Sequence, residues 1–373
     1  MSKAHAFLSA SSAHRWIACP PSAKLQEQYT DHGSEFAAQG TDAHALGESK
    51  CLKALGRTTE VNKNLRYFDE EMDDCTDQYA AFIMEQLAIL QQDCKDPLVL
   101  IEQRVDFSRW VPDAFGTADA ILVGNGQLTI CDLKYGTGVE VNAEHNPQMC
   151  CYALGCLELV DDLYNIQEIT MIIFQPRREH ISQWTITKTD LLHWADDTLV
   201  PAAKLAAAGK GTFCSGEHCR FCKAKHECRA RAEAQMNLMR YEFDLPPILS
   251  DEEISEILTK LDPLISWAED LKAYALEAAV RGKRWQGFKL VEGRSNRRYT
   301  DEEAVVKKVI SAGKDPYKRE LLGITAMTKL LGRKKFDELL SELVEKPVGK
   351  ATLVQDSDPR PEMDITTIHD FDD

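Results

Sequence analysis

The stretch GTADAILVGNGQLTICDLKYG, residues 116–136, constrains this chain more than any other. Two apolar runs with strand periodicity flank Asn125-Gly126, a pair that supplies the positive φ angles of a two-residue turn, so the segment reads as a β-hairpin. Its apolar content places it inside a sheet. Yet Asp119 interrupts the first run, and Asp132 and Lys134 stand at the end of the second. Residues two apart in a strand share a face, and a hairpin turning at 125–126 carries Asp119 back beside Asp132. Two carboxylates that close raise each other's pKa unless a cation shares them. A hard divalent ion such as Mg²⁺ or Mn²⁺ fits, because it takes one or two carboxylates, keeps several waters and leaves positions for a phosphate. Lys134, held beside such an ion, would orient or deprotonate a water. Taken alone, the three charges make only a strand-end ion pair and a solvated carboxylate.

The bulk of the chain suits a folded protein. Its 373 residues, 44% of them hydrophobic, are enough for one large domain and a smaller one. The first residues carry no apolar stretch of signal-peptide length, and no later segment approaches the ~20 apolar residues that span a bilayer, so a cytoplasmic protein without a membrane partner is expected. In that compartment twelve cysteines are not a disulfide framework, and any close cluster of them points to metal. A net charge of −16 argues against nonspecific coating of nucleic acid. The charge is uneven, however: residues 281–335 hold 16 Lys/Arg against 6 Asp/Glu, a local excess of +10 that leaves −26 elsewhere.

Periodicity lays out the elements. A short helix is broken by Pro20-Pro21, a second helix is capped near Thr41, and a third runs from about Asp69 to Gln92 with Tyr79, Phe82, Ile83, Leu87 and Leu90 at helical spacing. Strands follow at 98–105, 116–123 and 127–134, a helix at 146–160, a buried strand at 166–174, an edge strand at 181–187 and a helix at about 190–208. This order predicts an α/β fold with a mixed central sheet flanked by helices. Past 235 the sequence predicts a basic accessory module over 248–345, with a long helix, a strand pair near 285–299 and a further helix opened by Thr300 and Glu303, so a smaller α/β unit. The acidic stretch 346–373 predicts disorder.

The order of motifs resembles the PD-(D/E)XK nuclease superfamily in its RecB-like, AddB-like exonuclease branch. The matching residues are Gly116-Thr117-Ala118-Asp119, then Asp132-Leu133-Lys134, then Gln148 and Tyr152 as Q-x-x-x-Y, preceded by Gly40 and His44 as G-x-x-x-H. The resemblance implies a restriction-endonuclease-like core spanning 1–235. It also implies that His44, Asp119, Asp132 and the Leu133 carbonyl hold Mg²⁺ or Mn²⁺, and that Lys134 serves the attacking water. Gln148 and Tyr152, four apart and so on one helix face, would position DNA or brace the site. The acid of the D-x-K motif is Asp where Glu is commoner, and Glu102 on the preceding strand is a weaker candidate for a supporting role.

The stretch CSGEHCRFCKAKHEC holds Cys214, Cys219, Cys222 and Cys228. Two thiolates spaced C-x-x-C grip a metal, and these four cysteines, with His218 or His226 replacing one, would suffice for structural zinc. The same RecB-like relatives suggest another arrangement, in which a distant Cys19 joins Cys219, Cys222 and Cys228 around a [4Fe–4S] cluster that staples the nuclease domain, leaving Cys214 surplus. Cys19 discriminates between the two, since a local zinc site has no use for it.

Arg294, Arg297, Arg298, Arg333, Lys334 and Lys335 lie among Trp285, Phe288, Tyr299 and Phe336, an interleaving that suits DNA, with charge for phosphates and rings for bases. A solvated positive face explains the same residues without DNA. Over its full length the chain resembles a phage and prophage family of unknown-function proteins, which implies a role in DNA recombination or replication in a bacterial host. The expectation is a metal-dependent DNA exonuclease that passes single strands to a DNA-binding or recombination partner. The alternatives are a DNA-binding or assembly factor with weak or lost activity on a nuclease fold, and a zinc-stabilised scaffold.

Overall fold

In the computed structural model the strand-like runs form one five-stranded sheet. β1 (Leu98–Asp106), β2 (Phe115–Gly124), β3 (Gln127–Leu133), β4 (Glu168–Gln175) and β5 (His180–Thr187) lie side by side in sequence order. All neighbours are antiparallel except β3 and β4, which run parallel. The residues described are 6–29, 34–58, 65–236, 251–292, 299–318, 321–345, 352–354, 358 and 360–362. They fall into two units, Met1–Pro247 with Pro263–Tyr274, and Ile248–Asp262 with Ala275–Asp373.

The first unit opens with α1 (Ala13–Ala18) and α2 (Ser22–Gln26), separated at Pro20-Pro21, then α3 (Glu35–Ala54) and α4 (Glu70–Asp93). Asp69 caps α4 by accepting from the Met72 amide at 2.8 Å, as its sequence suggests. α3 begins earlier than expected. Ser34 is its cap, and Thr41 sits within the helix with its hydroxyl bonded back to the Ala37 carbonyl, because Phe36 to Gln39 extend the helix toward its N-terminus. α5 (Pro147–Tyr164) bridges β3 and β4, the crossover that a parallel pair requires. α6 (Lys188–Trp194) continues through a π-turn at Ala195–Leu199 into α7 (Val200–Ala208), and α8 (Arg229–Met236) follows the cysteine-rich loop.

The sheet is covered on both faces. One face packs with α5 through residues such as Ile121, Val123, Leu128, Ile130, Met149 and Cys156. The other packs with α4 through Leu122, Leu133, Ile172, Tyr79, Ile83 and Leu87. Each such side chain contributes about 1.5–3 kcal/mol when taken fully out of water, so the layers fix the sheet ends in place.

α9 (Asp251–Val280) contributes Pro263–Tyr274 to the first unit, whereas the sequence alone groups 248–345 together. The second unit holds the rest of α9, α10 (Glu302–Ser311), α11 (Ile324–Leu331) and α12 (Arg333–Leu340). Among its described residues it holds helices and no strand, where a smaller α/β module is expected. Residues 285–292 carry no strand: Gly282 and Gly287, at φ 100° and 82°, bend the chain there. The 293–298 half of the expected strand pair lies outside the described residues, as does most of the 346–373 tail. The cap of α10 is Asp301, accepting from the Ala304 amide, and not Thr300.

Candidate functional site

The hairpin closes as its turn residues require, with Asn125 at φ 50° and Gly126 at 75°. At the opposite end of the pair the ladder stops at Ala120–Cys131, which leaves Asp119 and Asp132 where the strands separate. There Asp119 Oδ2 accepts from the Leu133 amide at 2.7 Å. The Leu133 main chain therefore enters the site through its N–H.

The neighbouring pair, β1 and β2, holds a second irregularity. Its register runs unbroken except that Glu102 and Asp119, which stand opposite each other, do not pair. Before this point Val99 and Ile101 pack toward α4, as Ala120 and Leu122 do; beyond it Val105 and Ala118 pack toward α5. Residues of one strand face are two apart, so both strands skip one step here. Glu102 takes φ 48°, a conformation uncommon outside glycine. The skip brings both carboxylates to His44 on α3, whose Nδ1 lies 3.2 Å from Asp119 Oδ2 and 3.7 Å from Glu102 Oε1. Donor atoms of His44, Glu102 and Asp119 all lie within 4.8 Å of one another.

Asp132 and Lys134 form the other half of the site. Lys134 Nζ is 2.7 Å from Asp132 Oδ2 and donates to Gln148 Oε1 at 3.2 Å, while Gln148 Nε2 reaches Asp132 Oδ1 at 3.5 Å and the Tyr152 hydroxyl at 3.2 Å. Asn146 positions Gln148 by capping α5, accepting from the Gln148 and Met149 amides, with Pro147 as the first helical residue. Gly116 and Tyr152 interlock: a Cβ at 116 would stand 2.7 Å from Tyr152 Cε1. Two motifs 36 positions apart are thus one contact. Gln175 and Ser182, which the sequence does not single out, tie down the segment between Lys134 and α5. Gln175 bonds the Val141 amide at 2.7 Å and the Val139 carbonyl at 3.0 Å, and Ser182 Oγ accepts from the Ala143 amide at 2.9 Å.

Burial sets the electrostatics. It raises the Asp132 carboxyl above its ordinary range against the pull of the Lys134 ammonium, and Asp119 adds to the rise. Glu102 is raised mainly by burial, opposed by its hydrogen bond to His44. For His44, burial works against the charged form, but Asp119, Glu102 and Asp132 outweigh it and push the imidazole up to about 10. Of the sequence-expected metal set, His44 and Asp119 meet directly and Glu102 joins them; Leu133 meets Asp119 through its N–H and not through the expected carbonyl, and Asp132 is held by Lys134 and Gln148.

The early and late cysteines also meet. Cys19 ends α1, and Cys214 Sγ donates to the adjacent Ala18 carbonyl at 2.7 Å. Cys219 and Cys222 are buried and Cys228 is half-buried. Burial raises the Cys222 thiol, Arg15 lowers it, and Cys219 and Cys228 raise it further, so these groups feel one another. Burial also raises the Cys19 thiol, but hydrogen bonding to His218 and the main chain outweighs it and leaves Cys19 below its ordinary value.

Of the candidate DNA-binding residues, Arg294, Arg297 and Arg298 lie outside the described residues. Arg333, Lys334 and Lys335 form the first turn of α12, where Lys335 is exposed.

Over residues 5–361 the chain matches the family described as "Protein of unknown function (DUF2800)". The chain belongs to the DUF2800 family. Among solved structures this DUF2800 chain is similar to "Crystal structure of SSO0001", at 15% identity over 50% of this chain and 95% of that one, with a TM-score of 0.23. At that score the likeness carries no argument about fold or function. No helix among the described residues is long and apolar enough to cross a membrane.

Proposed function

We propose that this DUF2800 chain is a metal-dependent deoxyribonuclease on a PD-(D/E)XK core, acting as an exonuclease in phage DNA recombination or replication within the bacterial cytoplasm. The observation that carries the reading is the meeting, at one sheet end, of Asp119 with His44 and the Leu133 main chain, beside the Asp132–Lys134–Gln148–Tyr152 network. A salt bridge at a strand end would need only two of these groups.

The donors suit a hard divalent cation. Three carboxylates and an imidazole gather there, and Asp132 Oδ2 is buried without a hydrogen bond of its own beyond the ion pair with Lys134. His44, Asp119 and Glu102 would hold Mg²⁺ or Mn²⁺, with Asp132 and the Leu133 carbonyl in the roles the motif resemblance implies. A divalent cation there supplies acidification of a water and neutralises charge developing on phosphorus. Lys134 would orient the attacking water, its Nζ fixed by Asp132 and Gln148, and would take the water's proton only as the neutral amine, after giving up one of its own. Tyr152 holds Gln148, and Gly116 leaves room for the tyrosine ring. Cys19, Cys219, Cys222 and Cys228 supply the four thiolates of a [4Fe–4S] cluster, which would staple the start of the chain to its later cysteines. The basic residues at 294–298 and 333–335 would meet DNA phosphates, and the single strand produced would pass to a DNA-binding recombination partner.

The test uses end-labelled linear and closed circular DNA with Mg²⁺ or Mn²⁺, comparing the wild type with Asp132→Ala and Lys134→Ala. Loss of label from linear DNA, abolished in both variants, is expected. Activity unchanged in both variants removes the catalytic assignment, and cutting of the circle replaces exonuclease with endonuclease action.

A further inference from the structure

Three soft donors converge away from the carboxylates. Cys19 Sγ, Cys214 Sγ and a ring nitrogen of His218 all lie within 4.8 Å of one another. Cys19 and His218 are buried and Cys214 is half-buried, so the group is shielded from bulk water. Two hydrogen bonds fix it. Cys214 Sγ donates to the Ala18 carbonyl at 2.7 Å, across 196 positions of sequence, and His218 Nε2 lies 3.1 Å from the Cys214 carbonyl. Cys219 stands outside that 4.8 Å group, but its buried Sγ is 4.0 Å from the same carbonyl, so it is the thiol that would complete a fourth position by a turn of its side chain.

The spacing suits a single ion. Thiolates at about 2.3 Å and imidazole at about 2.0 Å around a tetrahedral centre stand under 4 Å apart, within the observed limit. Cysteines that ligate separate irons of a cluster stand farther apart. The sequence treats Cys19 as irrelevant to zinc and Cys214 as surplus to a cluster. Their meeting removes both simplifications.

We propose that Cys19, Cys214 and His218, completed by Cys219, form a mononuclear site for a zinc-class divalent cation. The set shares Cys19 and Cys219 with the cluster ligands proposed above, so one chain holds one occupant or the other. It stands on its own geometry and does not rest on the nuclease reading, and a chain that holds this ion does not hold the cluster.

The experiment takes full-length protein, stripped by chelator under reducing, oxygen-free conditions, and titrates it with Co²⁺ and then Zn²⁺. One tightly bound ion per chain is expected. X-ray absorption of the zinc-loaded wild type should show three sulfurs and one nitrogen, a readout that needs no variant and no DNA. Cys214→Ser and His218→Ala should each weaken Co²⁺ binding by about tenfold or more, as loss of a ligand must when even supporting partners cost that much. Cys222→Ser and Cys228→Ser should leave it unchanged. A four-sulfur shell, no bound zinc, or equal weakening by Cys222→Ser and Cys214→Ser overturns the assignment. The iron content of protein purified without air is a separate measurement, so failure here and failure of the cluster are told apart.

Discussion

Glu102 and Asp119 face each other at the position where the β1–β2 ladder lapses, with His44 Nδ1 3.7 Å and 3.2 Å from their carboxylates. The lapse and the placement have one cause. Regular alternation would send these side chains to a different layer from His44, and the double skip turns both toward α3.

That arrangement costs backbone energy at Glu102, whose φ is 48°. Ala has the same conformational penalty as Glu there and Gly has none. Glu102→Gly should therefore be about 1 kcal/mol more stable than Glu102→Ala, measured by urea unfolding, while both lose Mn²⁺ affinity. Equal stability of the two variants would show that the backbone at 102 carries no strain.

A pH dependence follows from His44. Its pKa rises from 6.5 to about 10 in the folded chain. A group raised on folding stabilises fully below its unfolded value, and that contribution is lost as pH climbs through the folded value. In chelator, the wild-type melting temperature should fall relative to His44→Gln between about pH 6.5 and 10. A cation binding the imidazole must displace the same proton, so Mn²⁺ affinity should rise over that window. Parallel melting profiles for the two proteins would mean that the imidazolium does not bridge the carboxylates.

Gly116 and Tyr152 make the third prediction. The 2.7 Å approach of a Cβ at 116 to the tyrosine ring forces a shift in a packed layer, so Gly116→Ala should destabilise by about 1–3 kcal/mol. Adding Tyr152→Leu should relieve part of that cost, giving a double variant less destabilised than the sum of the singles. Simple additivity would place the strain elsewhere.

Much of the site is legible in the sequence because its signals are local. Asn125-Gly126 fixes the turn, the turn fixes the register, and the register carries Asp119 back to Asp132. Asp69 and Asn146 announce their helices in the same way. What is hidden depends on distant groups or on unusual backbone. Nothing local marks Glu102 for positive φ, so a lone acid in LVLIEQRV reads as a supporting residue when it stands with His44 and Asp119. Gln175 is an unremarkable strand-end amide until its partners at 139 and 141 are seen. Cys214 looks surplus because spacing ranks the cysteines and cannot show that Ala18 and Cys19 lie against it. The strand expected over 285–292 is absent for the opposite reason: Trp285, Phe288, Leu290 and Val291 read as an apolar strand where Gly282 and Gly287, both at positive φ, bend the chain.

Lys134 and Gln148 allow chemistry to be separated from binding. Lys134 touches Asp132 Oδ2 and Gln148 Oε1, and Gln148 holds it without being placed to receive a proton from water. If Lys134 is the proton acceptor, Lys134→Ala should lower cleavage by about 10²–10⁴-fold, with DNA and Mn²⁺ affinities kept. Gln148→Ala should lower it less, since Asp132, 2.7 Å away, still positions Nζ. Tyr152→Phe should cost least, removing only the hydroxyl that accepts from Gln148 Nε2 at 3.2 Å. Single-turnover cleavage and separate DNA-binding titrations on the three variants check that order. A Gln148→Ala loss as large as that of Lys134→Ala would move the decisive role from the amine to the amide that orients it.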